Sequence, residues 1–515
     1  MNSNESATKI SDIPRPTPVN AESRFNFNEL FFSVTDSKST ITYANQVFVR
    51  ISKYEEDIII GQLHKLIRHP DMPRAVFYEF WNHLEANRPV AAYVKNMAKD
   101  GSFYWVMALA FPCDGGYLSV RLKPGSEFFE RIKEVYQDVL AHEKSTGASG
   151  DKRKAMHKGH TLLLSKIQEL GFATYDEFMW NALQREIQFR EDHLHTSENQ
   201  TNITADHIPE ELIGVEHVLQ NLVQELGKLR QIHESLVGHS DHILKLSRSV
   251  LLLSKNAQIS SSKLDRDDRS ISVVAEKMGE QSLSGEKQLV QMQKNIFELS
   301  ELIGKLNFNI ISSKLQVEMT GNFLNEQQES NSANTDQIIS TEKATNLLYN
   351  SFIPTINTIQ TDLGKLPGHL KKLLSGVREI ERFLLVLRFI HIKGKVEIAR
   401  MNQEGNSFAN TFNELINEVN SAETRLEKLS ETVRKHYKTG ELYSTYRAKL
   451  SELGMSLKAY RENEKITETE YGDAHVYEAA TVETNDSGSN GSPSSTSAIP
   501  KSEIKKRAKT PLTVA

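Results

Sequence analysis

The rhythm of apolar and polar positions changes along this chain. Between Phe25 and Leu122 the apolar residues fall in short runs of strand character: Leu30–Thr35, Ile41–Ala44, Val90–Asn96, Tyr104–Phe111 and Tyr117–Leu122. Turn formers separate them at Asp36–Lys38, Lys99-Asp100-Gly101 and Asp114-Gly115-Gly116. Between the second and third runs the spacing is helical, and a helix over Arg74–Ala86 carries Phe77, Phe80, Trp81 and Leu84 on one face. The order of two strands, helices and three strands predicts a small α+β domain, a five-stranded antiparallel sheet with helices on one face.

After Pro124 the pattern turns helical. Glu127–His142 reads as an exit helix and Asp151–His193 as one or two more, broken near Gly171. From Pro209 a heptad begins: Val215, Leu222, Leu229, Leu236, Ile243, Val250, Ala257, Leu264, Ile271 and Met278. Leu219 and Leu226 fill the second seam position before His233, Ser240 and Ser247 take it over. A sustained seven-residue repeat predicts helices in a left-handed supercoil, and the half-polar seam favours a bundle over a two-stranded zipper. Leu226-Gly227-Lys228-Leu229 recurs as Leu363-Gly364-Lys365-Leu366, an offset of 137 (365 − 228) that hints at two related segments. The organisation expected is a flexible arm over 1–24, a sensory-type domain over 25–124, a helical connector over 125–208, a coiled-coil or bundle region over 209–462 and a disordered tail over 463–515.

Composition narrows the classes. With 515 residues and 14 prolines, only Pro209, Pro354 and Pro367 fall between Pro124 and Pro493, so a mixed domain precedes a long helical remainder. The net charge of −5 gives no electrostatic case for nucleic acid. The longest apolar run, Phe383–Leu387 between Arg382 and Arg388, is far short of the roughly 20 residues a membrane span needs. The start of the chain has no signal-peptide core, so a soluble, cytoplasmic protein is expected. The single cysteine, Cys113, excludes an intramolecular disulfide. No phosphate-cradling glycine loop, nucleophile elbow or zinc-protease motif is present, and no enzyme activity is expected.

The chemistry is concentrated in Arg68-His69-Pro70-Asp71-Met72-Pro73. A guanidinium fork suits phosphate or carboxylate, an imidazole donates, accepts or stacks, and two prolines stiffen the loop that holds them. Alone, a salt-bridged turn explains this as well as a ligand site does. Around it, in order, stand Thr35-Asp36, Ile41-Thr42-Tyr43-Ala44-Asn45, Phe48, Tyr54, Gly61, Trp81, Val94-Lys95-Asn96, Lys99-Asp100-Gly101, Tyr104-Trp105-Val106 and Gly116-Tyr117-Leu118-Ser119-Val120-Arg121. This series resembles a PAS domain, and specifically the aerotaxis-receptor subfamily, over about Phe25–Pro124. The resemblance implies a sensory domain holding FAD non-covalently, with Asn45, Arg68, His69, Asp71, Trp81 and Asn96 as the flavin-associated positions. The sequence departs from the subfamily at Val90, where Arg88-Pro89 is usually followed by Trp, and in the short turn Asp114–Gly116. Haem ligation by His64 or His69 and a cofactor-free interaction module stay open beside it.

Two stretches of the helical region resemble the cytoplasmic tip of chemoreceptors. One runs from Asn256-Ala257-Gln258-Ile259 to Ser270-Ile271-Ser272-Val273-Val274-Ala275-Glu276; the other is Val396–Ala409. The resemblance implies the chemotaxis histidine kinase and its coupling protein as partners, together with further copies of the chain in a dimer or higher oligomer. The alternative is a PAS-containing scaffold without flavin or kinase coupling. In either case a ligand acts by shifting the packing of the flanking helices.

Overall fold

The computed structural model describes residues 13–147, 150–196, 209–261, 269–329, 335–400, 406–438 and 442–459. The expected tail, the first twelve residues and Leu264 lie outside them, as do the side chains of Leu226, Leu229, His233, Leu236, Ser240, Ile243, Ser247, Ala257 and Ile271 in the heptad.

Five strands, β1 (Phe31–Asp36), β2 (Ile41–Ala44), β3 (Val90–Met97), β4 (Phe103–Cys113) and β5 (Gly116–Leu122), pair antiparallel in the order β2-β1-β5-β4-β3. Helices α1 (Gln46–Ser52), α2 (Glu56–Ile59) and α3 (Arg74–Glu85) and a 3-10 turn at His64–Ile67 fall between β2 and β3. The β1–β2 turn closes on Asp36, whose carboxylate accepts from the backbone N–H of Lys38 and Thr40. At Gly116 the strands approach so closely that a Cβ would sit 1.8 Å from the Thr35 carbonyl oxygen, so only glycine fits.

The domain's own helices α1 and α3 lie on one face of the sheet as expected, and helices from later in the chain cover the other. Both faces are covered, which is why β1 is buried at successive positions rather than alternate ones. Register defines the faces: Phe31 opposes Arg121 and Ser33 opposes Ser119 on the inner one, while Phe32 opposes Val120 on the outer one. The inner face meets α1 and α3. The outer face meets α4 (Glu127–Gly147), where Trp105 packs against Phe129 and Tyr136, and α6 (Tyr175–Thr196), where Tyr93 reaches Glu186. It also meets α8 (Arg269–Glu329), whose Phe323 packs edge-on against Phe32 and Tyr43. Helix α3 differs from expectation. Its most buried face is Ala75, Val76, His83 and Leu84, with Phe77, Phe80 and Trp81 half-buried. The break near Gly171 is present, with φ +96°, between α5 (Lys152–Glu169) and α6.

The described part of the supposed flexible arm is held in place. Ser23 donates to Phe103 and Phe103 to Ala21 through the backbone, and Arg15 donates to the carbonyls of Lys65 and Arg68 at 2.9 and 2.7 Å. The arm therefore straps the site loop.

The helical remainder forms a bundle closed within one chain. Helix α7 (Glu210–Ser261) packs on α8, α8 on α9 (Thr335–Arg400), α9 on α10 (Asn406–Lys438) and α10 back on α7; a helix over 442–459 sets Leu453 against Gly214 of α7 and Arg447 against Gly364 of α9. Val215, Leu219, Leu222, Val250 and Met278 of the heptad are buried in it. The two copies of the sequence repeat, at 226–229 and 363–366, lie in α7 and α9, each of which packs on the helix that follows it. Residues 262–268 and 401–405 of the two tip-like stretches are outside the described set.

Candidate functional site

The loop from Arg68 to Pro73 is built onto the edge of the sheet. Arg68 forms a backbone bridge with Asn96 of β3, and the His69 N–H donates to the Lys95 carbonyl. The Arg68 guanidinium donates to the Met72 carbonyl at 3.0 Å and lies 4.0 Å over the Phe77 ring. Burial, helped by the charge of Arg74, lowers its pKa to about 10. His69 is buried, and its Nδ1 accepts the Asp71 N–H at 3.1 Å, which leaves the ring neutral with its proton on Nε2. Burial and the charge of Lys95 hold its pKa near 4. Asp71 points outward to Lys95 at 3.1 Å. The loop then enters α3, whose first N–H groups, Arg74 and Ala75, both donate at 2.8 Å to the Glu143 carboxylate of α4.

The structure therefore brings Arg68, His69, Asp71 and Asn96 together. Asn96 is buried on the inner face, and its Nδ2 has no hydrogen-bond partner among the described residues. Trp81 stands on α3, 5.3 Å edge-on from Tyr117. Asn45 is placed elsewhere. It caps α1, its Oδ1 accepting from the N–H of Phe32 and Phe48, while its Nδ2 donates to Glu326 of α8 at 3.1 Å. Its oxygen is engaged within the domain and its amide nitrogen joins the domain to the bundle.

A second cluster on the inner face was not singled out as a site from the sequence. Arg121 is 2% exposed and donates to the Ser119 carbonyl, to Ser33 Oγ and, at 2.7 Å, to His64 Nε2. An arginine only donates, so His64 accepts and is neutral. Burial, with Arg121 beside it, takes the His64 pKa to about 3. The hydroxyls of Tyr54, Tyr104 and Ser119 are buried without a partner among the described residues. The signal was parity: Tyr117, Ser119 and Arg121 must share a face of β5, and in a sheet covered on both sides that face is interior.

Depressed histidines destabilise the fold in acid. His64 and His69 bind protons in the unfolded chain near pH 6.5 but in the fold only near 3 and 4. Stability is therefore expected to fall as pH drops from about 6.5 towards 4. Urea melts of wild type and H64Q compared at pH 7 and 5 check this, since the variant loses the His64 part of the slope; parallel losses in both would contradict it.

Comparison with known proteins bears on what this geometry is for. Residues 41–117 match the family model described as PAS fold. The N-terminal domain is a PAS domain. Over 132 residues, 25% of this chain, it is 38% identical to the aerotaxis receptor of Escherichia coli strain K12, of which it covers 24%. Over 74 residues it is 34% identical to the nitrogen fixation regulatory protein of Klebsiella pneumoniae, covering 14% of this chain and 15% of that one. The chain thus spans a quarter or less of these curated relatives. Among solved structures it is similar to the light-state LOV domain of the blue-light photoreceptor Aureochrome1, at 20% identity over 20% of this chain and 86% of that one, with a TM-score of 0.18. Among the described residues no helix is long and apolar enough to cross a membrane, and no group of three or more His, Cys, Asp or Glu could hold a metal ion. Cys113 ends β4, its thiol pushed up to about 11 by burial and Asp114.

Proposed function

We propose that this chain is a cytoplasmic sensory transducer without catalytic activity, whose PAS domain holds a flavin, FAD, between the inner face of the sheet and α1–α3. The observation that carries this reading is the row of buried polar atoms left without partners there: Asn96 Nδ2 and the hydroxyls of Tyr54, Tyr104 and Ser119. Buried polar groups in folded proteins are almost always hydrogen-bonded, so a set of orphans on one face marks a place for a polar ligand. A flavin has a polar ring edge that such groups pair with and phosphates that suit Arg68, so the residues present fit it. When bound, the flavin supplies reversible redox chemistry. The chain's own residues orient it and keep water out.

The other half of the reading is transmission. Helix α8 lies on the outer face of the same sheet through Phe323 and Glu326, so a change in β1 or α1 bears directly on a bundle helix. Chemotaxis-type partners, a histidine kinase and its coupling protein, are the proposed output, with further copies of the chain as assembly partners. The alternative is an interaction scaffold, favoured if the coupling protein does not co-purify.

The test is the visible absorbance of the full chain after gentle purification. Flavin absorbance is expected, with R68Q weakening FAD by about tenfold or more, the scale of one lost hydrogen bond to a charged group, and W81A by about tenfold through the lost ring contact. A colourless protein that does not take up added FAD ends the flavin reading. Full flavin in both variants ends the site assignment.

A further inference from the structure

Arg121 carries a positive charge into the core with nothing negative among the described residues to meet it. Buried charges in proteins are paired, because an unpaired one forfeits its hydration without recompense. The partners of Arg121 are a carbonyl, a hydroxyl and a neutral imidazole. No carboxylate forms an ion pair with it among the described residues. Tyr104 does not supply the charge either, since burial pushes its phenol well above the usual range. Beside the guanidinium stand the unpartnered hydroxyl of Tyr104, close enough for the two groups to act on each other, and the rings of Phe31 and Phe48 at 5.9 and 5.2 Å.

We propose that Arg121 and His64 form an anion site on the inner face of the sheet, which takes the delocalised negative group of a planar organic ligand. The fork of Arg121 matches such an anion, the Tyr104 hydroxyl donates to it, and the rings flank its plane. The choice of probe rests on the flavin reading; the anion site itself does not. A flavin offers that charge from two sources. One is its phosphates. The other is the reduced ring, which has gained two electrons and one proton and holds one negative charge.

The full chain is compared as wild type, R121M and R121Q. Without ligand, R121M is expected to melt at or above wild type, because an uncompensated buried charge has been removed. If ligand-free R121M and R121Q both melt well below wild type, Arg121 is a structural residue and the proposal falls. With ligand, both variants are expected to bind FAD about 10- to 100-fold more weakly. Loss confined to FAD, with riboflavin unchanged, assigns the phosphates. Loss shared by FAD and riboflavin only after reduction by dithionite, itself oxidised to sulfite, assigns the ring. Unchanged affinity for both flavins in both redox states overturns the anion site while leaving the flavin reading intact. If wild type binds neither flavin, the flavin reading fails, and the anion site is judged on sodium benzoate. Benzoate that raises the melting temperature of wild type but not of R121M upholds it; no shift in wild type overturns it.

Discussion

Replacing Glu186 with alanine is expected to lower the stability of the PAS unit by about 4 kcal/mol, the scale of several buried donors left unsatisfied. Glu186 lies on α6 and is 0% exposed. Its carboxylate accepts from the N–H of Gly125 and Ser126 at 2.7 and 3.1 Å, from the Ser126 hydroxyl and from the Tyr93 hydroxyl at 2.7 Å. One side chain thus ties the end of the sheet, the start of α4 and the middle of β3 to α6. Alanine leaves four buried donors facing a cavity. E186Q keeps the shape but turns one acceptor into a donor aimed at other donors, so a smaller loss is expected. Urea unfolding followed by fluorescence of Trp105, which packs on α4, reads both. A loss under about 1 kcal/mol for E186A would show that water satisfies these donors and that α6 is not anchored here.

Replacing Phe323 with alanine is expected to cost about 3–5 kcal/mol, the range for a buried aromatic, and to separate sensing from transmission. Phe323 is 1% exposed, with its ring 5.0 Å from Phe32 and 5.6 Å from Tyr43. Beside it, Glu326 accepts from Asn45 Nδ2 and from the Gln46 N–H at 2.7 Å. Further back along α8, Glu318 pairs with Arg190 and Lys314 with Glu191 of α6. Loss of the ring removes the apolar centre of this contact, and the polar links at its rim contribute little without it. Hydrogen exchange is expected to rise in α8 over 310–326 and in β1–β2, while Arg121 and the residues around it stay protected. In wild type, FAD is expected to alter exchange in both domain and bundle; in F323A the bundle response disappears while FAD still binds. An unchanged bundle response would place the route elsewhere.

Local pattern was enough to read the strands. The Ile41–Ala44 run coincides with β2, and the other four runs differ from theirs by a residue or two at the ends. Short β-branched and aromatic runs closed by Asp and Gly turns specify strands almost unaided, because the turn geometry sets where pairing begins. The helix break at Gly171 was legible from its glycine, and of the heptad the described positions Val215, Leu222, Val250 and Met278 are buried as its spacing required. The site loop was legible as chemistry, since Arg, His and Asp between prolines have few packing uses. Asn45 was not legible as a cap and bridge. Its Glu326 partner is 281 residues away, and no local signal connects them.

By itself the sequence determined a five-stranded α+β domain ahead of heptad helices, and the loop where its polar chemistry is concentrated, because periodicity and turn propensity act over a few residues. The tertiary structure alone decided which faces those elements share. It put helices on both sides of the sheet, strapped the arm over the site loop, and closed four helices into a bundle within one chain. It also turned Arg121 from one more charged residue on a strand into a buried cation without a counter-ion among the described residues. Charge burial and hydrogen-bond satisfaction depend on what surrounds a group in space, and the chain segments that surround Arg121 and Glu186 come from distant parts of the sequence.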